Sequence, residues 1–212
     1  MAKKEIYIIR HGQTDFNLKK IVQGRGVDSE LNTTGQQQAK AFFDHYKHIE
    51  FDHIFISELQ RTKQTVQNFI DLEIPHTKLA SLDEINWGIY EGVSHSPEMK
   101  KEYEDIIQRW RNDELHIKID GGESAQDLWE RQSSFITLLK EMEFNRVLAC
   151  SHGRSIRALM CALTGTPLKD MDNFSHYNTC LYKLTYYDGN FEVEIENNID
   201  HLPIELKTIK LE

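Results

Sequence analysis

Arg10, His11, Arg61 and His152 are the residues of this chain whose types and positions best support chemistry. Arg10 and His11 come directly after one short apolar run, Arg61 lies a few residues beyond a second run, and His152 follows a third. A guanidinium fork matches the oxygens of a phosphoryl group, and a neutral imidazole is a competent nucleophile near pH 7. Brought together, these groups would form a phosphate-binding pocket that contains a nucleophile.

Three apolar runs must position these side chains. They span 6–9, 53–57 and 147–150, and their length and β-favouring composition are typical of short buried strands. The carboxyl ends of parallel strands meet at one edge of a sheet, where ligands bind in open α/β folds. The pattern therefore predicts that both arginines and both histidines lie at one sheet edge. The first turn of a helix after His152 could add backbone amides to the same pocket.

Helical patterns separate the strands and indicate the fold class. Thr33 and Gln36 have the spacing of a capping box, which predicts the start of a helix. The other predicted segments are a strand over 77–81 and helices over 96–111, after 124 and over 155–163. This alternation predicts an α/β fold, a three-layer sandwich with a mostly parallel central sheet covered by helices on both faces.

The last part of the chain has a different pattern. Asp188 and Gly189 form a two-residue turn signal between strand patterns at 181–187 and 191–195, which predicts a β-hairpin. An outer edge strand of this kind could pair across a homodimer.

The segment 93–120 lies between two motif-bearing parts of the chain. Its predicted helix is apolar on one face and heavily charged on the other, and we interpret the segment as a lid that influences substrate choice. Tyr103 and Trp110 are most simply core residues of this helix, although they could contact the organic part of a substrate. No linker or repeat interrupts the chain, so we expect one domain over 1–212 with this lid-like insertion.

Composition excludes several classes of function. Lys and Arg number 25 against 34 for Asp and Glu, and the net charge of −9 argues against binding to nucleic acid or an anionic membrane. No apolar run approaches the ~18 residues of a membrane span and no signal peptide is recognised, so a cytoplasmic location is expected. The ten histidines lack the spacing of metal ligands, so neither a metal nor another cofactor is expected.

Short motifs follow one another in order along nearly the whole chain. They are Arg10-His11-Gly12-Gln13-Thr14 with Asn17, Gln23-Gly24, Leu31 to Ala39, Ser57 to Thr65, Leu82 to Gly92, Gly122-Glu123-Ser124 and Ser151-His152-Gly153. In this order they resemble the histidine phosphatase superfamily, which includes phosphoglycerate mutases and fructose-2,6-bisphosphatases. Asn32, Glu58 and Thr62 depart from the family pattern, but these positions lie outside the reacting groups.

The resemblance implies a phosphoglycerate mutase-like fold and a role for each residue of the pocket. His11 would attack phosphorus and form a phosphohistidine. Arg10, Arg61 and His152 would hold the phosphoryl oxygens, and Asn17 would donate a further hydrogen bond. The cationic side chains would do the electrostatic work of a metal ion, so a metal-independent reaction is implied.

The resemblance also implies that Glu84 is the catalytic acid and that Gln23 and Gly24 line the substrate site. Glu84 would protonate the leaving group and later take a proton from the attacking water. Three nearby carboxylates, those of Asp83, Glu91 and Glu98, leave this assignment open on sequence alone.

Three functions are considered. The leading hypothesis is a phosphomonoester hydrolase, of the histidine acid phosphatase-like type, that acts on a small phosphorylated metabolite through a phosphohistidine. The first alternative is a phosphoglycerate mutase, but 93–120 lacks the adjacent arginine pair of those enzymes, and Arg154 stands where they carry asparagine. The second is a noncatalytic phospholigand-binding protein, which would need neither His11 nor Glu84.

Overall fold

Six segments form the strands of a single mixed sheet, and the central strands are the apolar, buried ones. The computed structural model describes residues 3–94 and 96–207, so the predicted domain and insertion each include positions outside the described residues. The strands are β1 (Lys4–Arg10), β2 (His53–Ile56), β3 (His76–Lys78), β4 (Arg146–Ser151), β5 (Leu181–Tyr187) and β6 (Asn190–Asn198). Their spatial order is β3-β2-β4-β1-β5-β6. The strands β1 to β4 are parallel, whereas β5 and β6 are antiparallel to their neighbours, which confirms the mostly parallel sheet.

Amphipathic helices connect the strands. They are α1 (Asp15–Lys19), α2 (Thr33–Tyr46), α3 (Gln60–Ile70), α4 (Pro97–Arg111), α5 (Ala125–Glu141) and α6 (Gly153–Thr164). Short 3₁₀ turns lie at Ala80–Leu82, Gly88–Tyr90, Leu168–Asn173 and Ile204–Leu206. No helix within the described ranges is long and apolar enough to cross a membrane.

The side chains of the central strands alternate between two hydrophobic cores. Ile6 and Ile8 of β1 pack into one core with residues of α5 and α6, whereas Ile9 packs into the other with Phe42 of α2 and Val66 of α3. Because both faces of a parallel sheet are covered in this way, the structure confirms the predicted three-layer arrangement.

Two local predictions are wrong. The helix α2 is capped by Asn32, whose side chain accepts a hydrogen bond from the amide of Gly35 at 2.9 Å, so Thr33 is the first helical residue and not the cap. Asparagine is as good a cap as threonine, and it comes one residue earlier. The third strand covers His76–Lys78 and does not continue to residue 81, because the chain turns into the 3₁₀ segment that begins at Ala80.

Candidate active site

The sheet topology brings the motif-bearing strand ends together. The strand β4 lies between β1 and β2, and it pairs with both in parallel, with Arg10 opposite Ser151 and Ile56 opposite Cys150. The residues that follow these strands therefore meet at one edge. The antiparallel strand β5 begins at the same edge, because Leu181 pairs with Ile9 near the end of β1.

A cleft opens at this edge, and both polar and apolar residues line it. Its polar side is the name used for the polar residues, which are Arg10, His11, Asn17, Gln23 and Glu84. Its apolar side is the name used for the apolar and aromatic residues, which are Ile21, Val22, Trp87 and Tyr103. Arg61, His152 and Gly24, which the sequence also predicts to be site residues, do not line the cleft and lie behind its polar side.

The imidazole of His11 is held through its Nδ1. Its Nδ1 lies 2.7 Å from the carbonyl oxygen of Gly12. A carbonyl only accepts hydrogen bonds, so Nδ1 carries the proton and Nε2 keeps its lone pair. The side chain is 2% exposed, and burial, together with the charges of Arg61 and Arg10, holds the pKa of His11 well below its ordinary value. The ring of His11 is therefore neutral at pH 7, with a lone pair on Nε2.

The guanidinium of Arg10 lies beside this ring and is nearly buried. Its NH1 donates to Nδ1 of His176 at 3.2 Å, while its Nε has no hydrogen-bond partner among the described residues. Burial and the charges of Arg10 and Arg157 hold the pKa of His176 well below its ordinary value, so its ring is a neutral acceptor. Arg10 is thus positioned by His176 and retains donors for an anion in the cleft.

Behind the cleft, a buried chain of hydrogen bonds runs from Arg61 through His152 to Ser57. The Nε of Arg61 donates to Nδ1 of His152 at 3.1 Å, so Nε2 of His152 carries the proton and donates to the hydroxyl of Ser57 at 2.8 Å. The other donors of Arg61 bind the carbonyls of Val27 and Gly24 at 2.7 and 3.3 Å. In this arrangement the hydrogen bonds of Arg61 and His152 go to residues that do not line the cleft.

Arg61 and His152 carry different charges at pH 7. Burial lowers the pKa of Arg61 to about 10, so its guanidinium is still a cation at pH 7. Burial and the charge of Arg61 hold the pKa of His152 well below its ordinary value, so its ring is neutral. The rings of His11 and His152 are 5.1 Å apart, which places the charge of Arg61 close behind the nucleophile. Arg61 therefore contributes a fixed positive field to the site.

Glu84 is held by backbone amides at the start of α6. One carboxylate oxygen accepts from Ile85 and Ser155 at 3.0 and 2.9 Å, and the other accepts from Arg154 at 3.1 Å. The helix amides that the sequence suggests for a phosphate are therefore bound by Glu84, and that prediction is wrong.

The neighbouring carboxylates have other partners. Asp83 binds Arg25 at 3.1 Å, and Glu91 accepts from the amide of Trp87 at 2.8 Å. Among the four acidic residues considered, Glu84 is the one that lines the cleft. A molecule bound in the cleft would therefore meet the carboxylate of Glu84.

The polar side of the cleft also includes Asn17 and Gln23, and Gly24 lies behind it. The Oδ1 of Asn17 accepts from the amide of Thr14 at 3.2 Å, so its NH2 group is the part that can donate into the cleft. Gln23 donates to the hydroxyl of Thr14 at 2.8 Å. A Cβ at Gly24 would lie only 2.4 Å from the backbone carbonyl oxygen of Ile85, which cannot move aside, so the close packing there requires glycine.

The sequence did not indicate His176 and Asn178, although both lie at the site. The side chain of Asn178 donates to the carbonyl of His11 at 3.0 Å, and His176 binds Arg10. Both come just before β5. The predicted hairpin could have pointed to them. If its first strand lies antiparallel to β1, that strand begins at the edge where β1 ends, and the residues just before it lie at the site. Within residues 3–94 and 96–207, no group of three or more His, Cys, Asp or Glu side chains is arranged to hold a metal ion.

Comparisons with known proteins agree with this geometry. The sequence profile of the histidine phosphatase superfamily (branch 1) matches residues 6–199. The chain is 30% identical to a Hydrogenobacter thermophilus protein named "Putative phosphoserine phosphatase 2", over 80% of this chain and 83% of the relative. It is 28% identical to a Shigella dysenteriae protein named "Probable phosphoglycerate mutase GpmB", over 93% of this chain and 94% of the relative.

Solved structures also resemble this chain. The alpha-ribazole phosphatase from Shigella flexneri superposes with a TM-score of 0.81 at 25% identity, covering 92% of this chain and 96% of that chain. Bacillus stearothermophilus YhfR superposes with a TM-score of 0.82 at 25% identity, covering 93% of this chain and 98% of that chain. The likeness therefore extends over nearly the whole fold.

Proposed function

Because this chain belongs to the histidine phosphatase superfamily (branch 1), we propose that it is a phosphomonoesterase that transfers a phosphoryl group to His11 and then to water. The observation that carries the proposal is the state of His11. Its ring is neutral, and its Nδ1 donates a hydrogen bond to the carbonyl oxygen of Gly12. Its Nε2 therefore keeps a lone pair, in a cleft that Arg10 and Glu84 also line. The substrate is a small phosphorylated metabolite.

The first step forms a phosphohistidine. Nε2 of His11 attacks phosphorus, the P–O bond to the organic group breaks, and the leaving oxygen takes a proton from Glu84. Arg10 and Asn17 line the cleft and donate hydrogen bonds to the phosphoryl oxygens, while Arg61 supplies positive charge from behind. The alcohol then leaves.

The second step regenerates the enzyme. A water molecule attacks phosphorus and gives a proton to Glu84, the P–N bond to His11 breaks, and inorganic phosphate is released. His152 positions Arg61 by accepting from its Nε, and the hydroxyl of Ser57 accepts in turn from Nε2 of His152. Gln23 and Gly24 shape the wall beside Asn17, with Gly24 also accepting from Arg61.

A phosphoglycerate mutase is the second candidate, because a relative carries that name. A mutase must hold the carboxylate of its substrate with a cation while the phosphoryl group moves. Two cations of 93–120 have other partners: Arg109 binds Glu114 at 2.6 Å, and Lys118 binds Asp127 at 2.9 Å. Neither lines the cleft. This pairing favours transfer to water.

Product analysis tests the proposal. Wild-type protein supplied with 4-nitrophenyl phosphate should release inorganic phosphate, and His11→Ala should lower kcat/KM at least about a thousand-fold. His48→Ala, at an exposed histidine, is the matched control and should keep wild-type activity. With 3-phosphoglycerate, any turnover should yield phosphate. Efficient conversion to 2-phosphoglycerate would support the mutase, and equal turnover by His11→Ala would refute the assigned nucleophile.

A further inference from the structure

The apolar side of the cleft is built from four residues that have no part in phosphoryl transfer. Ile21 and Val22 follow α1, Trp87 lies in the loop after Glu84, and Tyr103 projects from α4. They face the same cleft as His11 and Glu84, so the organic part of a phosphomonoester would lie against them while its phosphoryl group meets Arg10. The chemistry of these side chains therefore selects the alcohol of the substrate.

The aromatic rings of this wall are fixed in the free protein. The ring centroids of Trp87 and Tyr103 are 5.1 Å apart, and Trp87 stacks on Trp110 at 5.9 Å with an angle of 24° between the planes. The indole of Trp110 donates to the carbonyl of Ile117 at 2.8 Å. Rings held by such packing bind a flat apolar group with little loss of side-chain entropy.

The hydroxyl of Tyr103 adds one neutral donor to this wall. Its oxygen accepts from NH2 of Arg154 at 2.9 Å, and NH1 of Arg154 binds Asp172 at 2.6 Å. The guanidinium thus fixes the hydroxyl oxygen and leaves the hydroxyl hydrogen to be donated elsewhere. Within the part of the chain that the structure describes, that hydrogen has no acceptor. A substrate acceptor in the cleft would provide one.

A second anionic group would find no cation here. Arg111, Arg154 and Arg157 all bind Asp172, and none of them lines the cleft. Arg10 is the one cationic side chain that lines it among the described residues, and it stands beside the nucleophile. An anionic organic group would instead lie on aromatic rings and near Glu84, which costs desolvation without an ion pair.

We propose that Trp87 and Tyr103 form the leaving-group subsite, and that the preferred substrate is the phosphomonoester of an alcohol that carries a flat, uncharged aromatic ring. The hydroxyl of Tyr103 donates to an acceptor on that ring. This inference rests on the proposed function, because it assumes that the phosphoryl group is presented to His11.

A matched series of esters tests the ring preference. The probes are 2-phenylethyl phosphate, butyl phosphate and 3-phosphoglycerate, whose leaving oxygens are all aliphatic alkoxides. Wild-type kcat/KM should be about ten-fold higher for the phenylethyl ester than for the butyl ester, and higher still relative to 3-phosphoglycerate. Trp87→Leu and Tyr103→Leu should each lower the phenylethyl-to-butyl ratio toward one. Tyr187→Leu, at an exposed tyrosine, should leave the ratio unchanged.

The hydroxyl is tested by a smaller change. The ester of 2-(pyridin-3-yl)ethanol offers a ring acceptor that the phenylethyl ester lacks. Wild type should prefer the pyridyl ester, and Tyr103→Phe should remove that preference while it keeps the preference for a ring over a butyl chain.

Two sets of outcomes separate this inference from the proposed function. Faster hydrolysis of 3-phosphoglycerate than of the phenylethyl ester, or an unchanged ratio in both leucine variants, would overturn the inference alone. Absence of phosphate release from every ester would contradict the proposed function instead. In that case calorimetry can still test the ring preference, by measuring the affinity of wild type for 3-phenylpropylphosphonate and for pentylphosphonate. Equal affinities for the two phosphonates would overturn the proposed aromatic subsite.

Discussion

At the scale of single residues, the proposed attack by His11 requires a neutral imidazole. Burial, Arg61 and Arg10 all hold the pKa of His11 well below its ordinary value of 6.5, so the ring of the free protein should stay neutral at pH 5.5. Nitrogen-15 chemical shifts of the histidine rings measure this directly. The Nδ1 of His11 should keep the shift of a protonated nitrogen and Nε2 that of an unprotonated one. Protonation of Nε2 with a midpoint near 6.5 would contradict the buried, cation-flanked site.

A second residue-scale prediction concerns Glu84 as the acid. Glu84→Gln keeps the size of the side chain and one of its two accepting oxygens, but it cannot donate the proton that the leaving group needs, so kcat/KM for an alkyl phosphate should fall about 10²–10⁴-fold. A nitrophenolate leaves without protonation. The variant should therefore still give a rapid burst of nitrophenol from 4-nitrophenyl phosphate, followed by slow turnover.

The matched control is Glu98→Gln, at a surface carboxylate of α4. It should behave like wild type with both substrates. If Glu84→Gln loses the alkyl and nitrophenyl reactions to the same extent in the burst phase, Glu84 does not protonate the leaving group.

At the scale of elements, Asp172 joins α4 to the rest of the fold. Its carboxylate binds Arg111 of α4 at 3.0 Å, and Arg154 and Arg157 of α6 at 2.6 and 2.5 Å. Burial acts to raise the pKa of Asp172, but Arg154 and Arg157 outweigh it and lower the pKa, so the group stays ionised. This contact holds the tyrosine-bearing helix over the cleft.

Asp172→Asn should therefore loosen α4. Removal of the shared charge leaves clustered guanidinium groups without compensation, and the free energy of unfolding should fall by about 2–3 kcal/mol. Hydrogen exchange of residues 97–111 should become faster than in wild type, whereas Asp170→Asn should not change it. Equal exchange in the two variants would show that Asp172 does not hold the helix. The lid role of 93–120 stays a prediction, and increased protection of these amides with a bound phosphonate would support it.

The sequence was informative wherever a strand end or a helix period determined the position. The carboxyl ends of β1, β2 and β4 could be predicted because parallel strands share a direction, and Arg10 and His11 follow one of them directly. The hydrogen-bond partners of the site residues could not be predicted in the same way. That Arg61 turns to Val27 and Gly24, and that Glu84 binds the start of α6, depends on side-chain distances that only the packed fold sets.

The position of Tyr103 in the cleft also could not be predicted from the sequence. Its spacing indicated the buried face of α4, and this face does pack on the core through Ile106, Ile107 and Trp110. Tyr103 lies one turn nearer the cleft, where Arg154 binds its hydroxyl. Helical periodicity predicts which face is apolar, but not where along that face the core ends and a pocket begins.

At the scale of the whole molecule, neutral buried histidines make stability depend on pH. His11, His152 and His201 are each at most 7% exposed. Burial and nearby charges hold the pKa values of His11 and His152 well below 6.5, and burial lowers the pKa of His201 to about 4. Well above pH 6.5 these groups are neutral in both the folded and the unfolded chain, so they do not change the free energy of unfolding with pH. Below it, the unfolded chain binds protons that the folded chain does not.

The free energy of unfolding should therefore fall as the pH is lowered. Each of these histidines contributes a loss on the order of 1 kcal/mol between pH 7.5 and 5.5. Urea unfolding at the two pH values measures the summed difference. His201→Gln removes one titrating group away from the cleft and should reduce the difference by on the order of 1 kcal/mol, whereas His48→Gln should change it little because His48 is exposed. A difference that is the same in wild type and His201→Gln would mean that His201 binds its proton equally in the folded and unfolded chain, and would remove the physical basis for a neutral interior.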